Sequence, residues 1–290
     1  MRIIVTGASG FIGRRLTSML LERGHDVTCL LRSAALSPEA TSSLAADLRR
    51  PEELDDLPAG DAVIHLAQSR RYREFPDCAD DIFAVNAGST ARLLHLAARN
   101  GTRSFVLAST GSVYSGTDAP WKEDAILSPG GFYAASKAAA ELLLPAYRSF
   151  FHACVLRLFT PYGPGQTDRL IPTLIARVRG GRPVSLDGDA GGLRLSVTYV
   201  DDVASTFVAA AEQGWDGIYN VAAPAPTCIA EIASAIGSSV GIAPVFERTG
   251  SSEPPPVTAD VSRLSAVHDV GRFVPLRTGI ARTLAGEMRG

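Results

Sequence analysis

Short apolar runs and longer amphipathic stretches alternate along the first 160 residues of the chain. The apolar runs are rich in β-branched residues and nearly uninterrupted: RIIVT, DVTCLL, DAVIHLA, SFVLAS and CVLRLF. Such runs are typical of parallel strands buried on both faces, and the stretches between them have the hydrophobic period of helices. The pattern therefore predicts an α/β fold, a doubly wound parallel sheet of the Rossmann type with helices on both faces.

The pattern changes after Pro161, where the turn-forming strings YGPGQ, RGGRP, DGDAGG and EPPP separate shorter elements. We expect residues 1–165 to form a dinucleotide-binding domain and residues 166–290 to form mainly a smaller C-terminal α/β substrate lobe. Residues 196–222 again show strand, helix and strand patterns, so we expect this segment to return to the large sheet.

Composition narrows the class of protein. A formal net charge of −2 over 290 residues disfavours a nucleic-acid or membrane-surface partner, which usually requires a basic excess. The chain has neither an evident signal peptide nor an apolar run of about 18 residues, so we expect a cytoplasmic protein. Its four cysteines are widely spaced and its five histidines scattered, which predicts buried free thiols and no metal site.

A glycine-rich motif, TGASGFIG, lies between the first predicted strand and the first predicted helix. Gly7, Gly10 and Gly13 would allow a tight turn, close approach of a pyrophosphate to backbone N–H groups, and close packing of helix on strand. Phe11 and Ile12 lie inside the motif and would border the same ligand. The position of the motif predicts dinucleotide binding.

A tyrosine and a lysine stand four residues apart in the helix-forming run GFYAASKAAAELL. At that spacing Tyr133 and Lys137 share one face of a helix. The chain has 26 arginines and only two lysines, so a lysine at this position is unusual for its composition. A nearby ammonium favours the phenolate of a tyrosine, which allows the phenol to exchange protons near neutral pH. The pair is therefore predicted to be catalytic.

These motifs, with ADL at 46–48, ASTGSVY and LRLFTPYGPGQ, occur in an order that resembles the extended short-chain dehydrogenase/reductases. The resemblance covers nearly the whole chain. It implies a nicotinamide cofactor and a place near the sugar-nucleotide epimerases, dehydratases and 4-ketoreductases. It also implies a homodimer formed by the helices near 79–100 and 131–150.

The resemblance assigns further site residues one by one. Thr110 takes the place of the catalytic Ser/Thr that binds the reacting oxygen, beside Tyr133 and Lys137. Thr160 and Arg194 stand where relatives bind substrate, with the arginine on a diphosphate. The remaining cofactor contacts implied are Asp47 and Leu48 at the adenine, Leu66, Ala67 and Gln68 along the dinucleotide, and Asn86 and Phe159.

The end of the second strand indicates the choice of cofactor. Relatives that prefer NAD usually have an aspartate there to bind the ribose hydroxyls, whereas this chain has Leu31 followed by Arg32. An arginine can pair with a 2′-phosphate. We therefore expect a preference for NADP, with NAD as the alternative.

The reaction predicted first is 4-epimerisation of a nucleoside-diphosphate sugar through a transient 4-keto intermediate. Dehydration is disfavoured because 4,6-dehydratases follow their catalytic threonine with Asp-Glu, whereas Gly111 and Ser112 follow Thr110. In the predicted substrate-binding segment, Leu195 follows Arg194 at a position where relatives commonly have an acidic residue. The alternatives are an NADPH-dependent 4-ketoreductase of a sugar nucleotide, a reductase of non-sugar ketones or aldehydes, and a non-catalytic dinucleotide sensor.

Overall fold

The computed structural model describes residues 1–32, 40–115, 120–250 and 252–287. Strands and helices alternate through the first half of the chain. The strands are β1 (Arg2–Thr6), β2 (Asp26–Leu31), β3 (Ser42–Ala45), β4 (Ala62–His65), β5 (Ser104–Thr110), β6 (His152–Leu158), β7 (Pro161–Tyr162), β8 (Val184–Asp187), β9 (Arg194–Leu195), β10 (Thr198–Tyr199), β11 (Gly217–Val221), β12 (Thr227–Cys228) and β13 (Phe246–Gly250).

The helices of the described residues range from one turn to four turns. They are α1 (Phe11–Glu22), α2 (Ala79–Phe83), α3 (Ser89–Arg99), α4 (Phe132–Leu143), α5 (Leu170–Arg179), α6 (Val200–Gln213), α7 (Ile229–Val240), α8 (Ser262–Ser265) and α9 (Leu276–Glu287). A π-helical turn, Ala84–Gly88, joins α2 to α3, so the helix expected near 79–100 changes its hydrogen-bonding pattern over this turn, which contains Asn86. Such turns are often found at functional sites.

Within the described residues, seven strands form one sheet in the order β11-β6-β5-β4-β1-β2-β3. The pairs β1–β2, β2–β3, β1–β4, β4–β5 and β5–β6 are parallel. Every residue of β4 is buried, as the continuous apolar runs predicted for strands covered on both faces. The predicted doubly wound sheet is confirmed.

Strand order reverses between β1 and β4, the neighbours at the centre of the sheet. In open α/β sheets, ligands bind at such a switch point, outside the carboxyl ends of the strands. Thr6 and His65 are the last residues of these two strands and lie opposite each other in register. The topology therefore places the ligand end of the sheet at Gly7 and Leu66.

The chain divides into two compact units. The first comprises Met1–Ser115, Asp124–Leu158 and Ala204–Tyr219, and the second comprises Gly116–Glu123, Phe159–Val203 and Asn220–Gly290. Of the segment 196–222, β11 lies in the large sheet, whereas β10 pairs with β7 because Thr198 N donates to the carbonyl of Thr160.

All four cysteines are free and buried, as their spacing predicted. None of the helices in the described part of the chain is sufficiently long and apolar to span a bilayer. The compartment in which the protein works stays a prediction.

A buried ion pair lies between α4 and the sheet. Arg157 on β6 binds Glu141 on α4 at 2.6 Å, with the two side chains only 2% and 3% exposed. Ser109, the register partner of Arg157 on β5, donates its hydroxyl to Glu141, and Arg157 also donates to the hydroxyl of Tyr114 at 2.5 Å. The pair connects α4 to the strand that ends at Thr110.

Breaking this ion pair from one side should destabilise the first unit strongly. Arg157→Met leaves the Glu141 carboxylate buried without its partner, which we expect to cost about 3–5 kcal/mol in urea unfolding. The matched control is Arg148→Met, because Arg148 makes an exposed ion pair with Asp216 at 3.5 Å and should cost about 1 kcal/mol or less. Equal losses in the two variants would contradict this account of the pair.

Candidate active site

The glycine motif forms a cradle at the carboxyl end of β1. Gly7 has φ +71°, and a Cβ placed on it would lie 2.8 Å from the backbone nitrogen of Ala67. A Cβ on Gly13 would lie 2.1 Å from the Gly7 carbonyl oxygen, so only glycine allows α1 to pack this closely on the turn. Side chains at these glycine positions would fill the cradle. Without them, the backbone of the motif can approach a ligand closely.

Helix α1 begins at this cradle, and its amino end is suited to binding an anion. Its N-cap is Gly10, which supplies no capping side chain, and its first turn carries no acidic residue. The N–H groups of a helix amino end bind phosphate through hydrogen bonds and the helix dipole. Gly7, Gly10, Phe11, Ile12 and Gly13 therefore fit the pyrophosphate of a dinucleotide.

A buried polar network supports the second side of the cradle. The Ala67 N–H donates to Thr6 Oγ1 at 3.1 Å, and that hydroxyl lies 2.6 Å from His65 Nδ1. His65 Nε2 lies 3.3 Å from Ser89 Oγ. Burial, with a smaller effect of the Lys137 charge, lowers the pKa of His65 to about 3. His65 is therefore a neutral structural residue that fixes Leu66 and Ala67.

Tyr133 and Lys137 lie one turn apart on α4, and their surroundings differ. Tyr133 is half-buried, and its hydroxyl donates to Gln68 Oε1 at 2.8 Å. Lys137 is 1% exposed. Burial lowers the pKa of Lys137 to about 8, although Glu141 one turn further along favours its charge. The helix thus carries a partly accessible phenol one turn from a buried amine whose pKa is lowered.

Thr110 is the last residue of β5, and α4 packs against this strand and the turn that follows it. Its Oγ1 accepts a hydrogen bond from the Ser112 N–H at 3.1 Å. That bond uses a lone pair of the oxygen and leaves the hydroxyl proton for donation. Thr110 can therefore donate to an oxygen atom of a bound substrate.

Two further predicted cofactor contacts in the first unit have structural partners. Asn86 is fully buried in the π-helical turn, where its amide bridges the Ser69 N–H and the Ser136 hydroxyl. Asp47 accepts a hydrogen bond from the guanidinium of Arg49. This bond is the largest of the effects that lower the pKa of Asp47. Their contacts with a cofactor, like that of Leu48, stay predictions.

The other predicted ligand contacts are placed as follows. Arg32 is exposed directly after β2, and residues 33–39, which follow it, lie outside the described residues. Phe159, Thr160 and Arg194 belong to the second unit, so their part in one site with Tyr133 stays a prediction. Thr160 has φ +34°, a strained conformation for a threonine of the kind that concentrates at functional sites.

Sequence reasoning missed two side chains around the Tyr133 helix and one contact of a third. The first is Glu141, whose spacing of four residues after Lys137 would have indicated the same helix face. The second is Tyr72, whose ring lies 5.1 Å from the Tyr133 ring. Gln68 was predicted only as a dinucleotide contact, and no local pattern indicates its hydrogen bond to the phenol.

Comparison with known proteins identifies the family. The model of the NAD dependent epimerase/dehydratase family matches residues 3–222. The chain belongs to the NAD dependent epimerase/dehydratase family. It is 32% identical to a dTDP-glucose 4,6-dehydratase of Streptomyces griseus, over 98% of this chain and 93% of that protein. It is also 32% identical to a 3-diazoavenalumate denitrifying reductase of a Streptomyces species, over 82% of each.

A solved structure shows the same relationship. A UDP-glucuronic acid 4-epimerase from Bacillus cereus, in complex with UDP-glucuronic acid and NAD, superposes with a TM-score of 0.84. Sequence identity is 26%, and the match covers 100% of this chain and 99% of that one. The chain is thus an NAD(P)-dependent enzyme of the extended short-chain dehydrogenase/reductase type, as predicted. The expected preference for NADP is not supported, since the family is NAD dependent and this solved relative holds NAD.

The buried Lys137 should lower the stability of the ligand-free protein. Its folded pKa of about 8 lies below the unfolded value, so below pH 8 folding must bury a charged ammonium. Lys137→Met should raise the free energy of unfolding at pH 7 by up to about 3 kcal/mol, because a pKa difference of one between the folded and unfolded states corresponds to about 1.4 kcal/mol.

The advantage of the Met variant should shrink between pH 8 and about 10, where the folded parent has lost the proton that its unfolded form still binds. Urea unfolding of both proteins across this range checks the expectation. A Met variant that is less stable than the parent at pH 7 would contradict it.

Proposed function

We propose that the protein is a sugar-nucleotide 4-epimerase. The observation that carries the proposal is the arrangement on α4, where the half-buried Tyr133 phenol stands one turn from the buried Lys137 amine. A phenol in this position can take a proton from a carbinol and return it. The Bacillus cereus relative, a 4-epimerase that binds a UDP-sugar and NAD, supports a substrate of the same class.

In the proposed reaction, Tyr133 takes the proton of the sugar C4 hydroxyl and later returns a proton to the C4 oxygen of the keto intermediate. Thr110 donates a hydrogen bond to that oxygen in both steps. The Lys137 ammonium favours the phenolate of Tyr133. When bound in the glycine cradle, the dinucleotide supplies the hydride acceptor for the first step and the hydride donor for the second.

Dehydration is the reaction that this site supports least. Eliminating water from the sugar requires an acid and a base besides the tyrosine, and 4,6-dehydratases carry them as Asp-Glu after the catalytic threonine. Here Gly111 and Ser112 occupy those positions. The likeness to a 4,6-dehydratase of Streptomyces griseus therefore supports the substrate class more than the reaction.

We propose NAD as the cofactor, held by the glycine cradle, Leu66, Ala67 and Gln68. An epimerase regenerates its cofactor in each turnover and has no need of a separate NADPH supply. We also propose a homodimer, because Phe83 on α2 and Leu142 on α4 are 52% and 74% exposed on the helices expected to pair.

A 4-ketoreductase is the second candidate, and Arg32 is the observation that favours it. An exposed arginine after β2 can bind a 2′-phosphate, which suits an enzyme that consumes NADPH. The reductase of a Streptomyces species shows that this level of identity also includes reductases.

Isotope labelling separates the two reactions. With UDP-glucose or UDP-glucuronic acid carrying deuterium at C4, we expect the C4 epimer to form with the deuterium still at C4 and no net change in NADH absorbance. Tyr133→Phe should lower the rate by about 10²–10⁴-fold because it removes the acid-base group. Tyr147→Phe is the control, since Tyr147 follows α4 and stacks on Phe151 in the core. Stoichiometric oxidation of NADPH by a 4-keto sugar nucleotide would instead establish the reductase.

Cofactor choice is tested by titrating the protein with NAD and NADP and following its thermal unfolding, because a ligand stabilises the form it binds. We expect NAD to bind more tightly, and Arg32→Ala to leave NAD affinity unchanged. Tighter binding of NADP, lost at least about tenfold in Arg32→Ala, would contradict the NAD assignment.

A further inference from the structure

The acid-base tyrosine has a specific hydrogen-bond partner in the first unit. Tyr133 Oη donates to the side-chain carbonyl of Gln68 at 2.8 Å, across 65 positions of sequence. Gln68 is exposed, so nothing in the packing of a core requires an amide at this position. The contact joins the reacting oxygen of the proposed mechanism to a residue whose expected role was to border the dinucleotide.

The backbone on both sides of Gln68 is fixed by buried groups. The Ala67 N–H donates to Thr6 Oγ1 at 3.1 Å, and the Ser69 N–H donates to Asn86 Oδ1 at 2.9 Å. Thr6 and Asn86 are both fully buried. Two hydrogen bonds to buried side chains therefore hold the backbone on either side of Gln68, although the Gln68 side chain is exposed.

The same support also holds the tyrosine. Asn86 Nδ2 donates to Ser136 Oγ at 2.9 Å, and Ser136 Oγ donates to the Tyr133 carbonyl at 2.7 Å. With the Ser69 and Gln68 bonds, these contacts form a closed ring of hydrogen bonds between α4 and the segment after β4. The ring holds the backbone of the segment that carries Gln68 beside the backbone of Tyr133.

The chemistry of this bond concerns the proton on Tyr133. A carbonyl can accept from a phenol but offers nothing to a phenolate, so the observed orientation stabilises the protonated form. Lys137 acts in the opposite direction.

We propose that Gln68 is a positioning residue that sets the proton affinity of Tyr133 and holds its hydroxyl in place before substrate binds. In the resting protein its carbonyl keeps Tyr133 protonated against the effect of Lys137. The inference rests on the proposed function only in taking Tyr133 as the acid-base group, and it assigns Gln68 a role separate from cofactor binding.

The test measures the titration of Tyr133 directly in the full-length protein without substrate or cofactor. Tyrosine labelled with ¹³C at Cζ is followed by NMR from neutral to alkaline pH, and the Tyr133→Phe spectrum assigns the signal. Gln68→Glu adds an acceptor with negative charge, so we expect the pKa of Tyr133 to rise by about one unit or more. Gln68→Met removes the acceptor at similar size, so the pKa should fall.

The matched control is Gln213→Glu, which makes the same chemical change on α6, where Gln213 accepts from Trp215 Nε1 at 3.0 Å. It should leave the titration of Tyr133 unchanged. The inference is overturned if Tyr133 titrates at the same pH in the parent and both Gln68 variants, or if Gln213→Glu shifts it as much as Gln68→Glu does.

The outcome is independent of turnover, since the NMR titration needs no sugar nucleotide. If no sugar nucleotide is converted and the titration shifts as expected, the proposed function fails and the Gln68 role stands. If turnover occurs, the acid limb of the kcat profile should move in the same direction as the NMR pKa in each variant, and an unmoved limb would count against the role.

Discussion

The proposed active site depends on a charged group that the fold buries. Lys137 must be an ammonium to favour the phenolate of Tyr133, yet at 1% exposure its charge is costly in the ligand-free protein. Its pKa of about 8 shows the balance, because burial lowers it while the Glu141 carboxylate one turn away favours the charge. The amine is therefore held near its point of titration.

Helix α4 orders three ionisable groups from the surface inward. Tyr133 is half-buried, Lys137 is buried, and Glu141 is buried in an ion pair with Arg157. Because Arg157 and Ser109 are register neighbours on β6 and β5, Glu141 fixes the deep end of the helix to the strand that ends at Thr110. A buried pair of this kind contributes little net stability, but it sets the position of the helix that carries the proposed catalytic side chains.

The parts predicted from sequence are those with local signals. Continuous apolar strands, the TGASGFIG turn and the spacing of Tyr133 and Lys137 have short-range physical causes, and they led to the parallel sheet and the family. The bond between Gln68 and Tyr133 has no such signal, since it depends on how the segment after β4 packs on α4. The pairing of the two-residue strand β10 with β7 also has no local signal, because it depends on tertiary structure. Arg32 shows a further limit, because one charged residue after the second strand does not decide between NAD and NADP.

The central claim is that Tyr133, assisted by the Lys137 ammonium, transfers protons next to a nicotinamide. A crystal structure of the protein with NAD and a UDP-sugar tests it most directly. The account predicts that the Tyr133 hydroxyl lies within hydrogen-bonding distance of the sugar C4 oxygen, with the nicotinamide ring facing the same carbon. A complex in which the nicotinamide lies away from Tyr133, with the phenol facing bulk water, would contradict it.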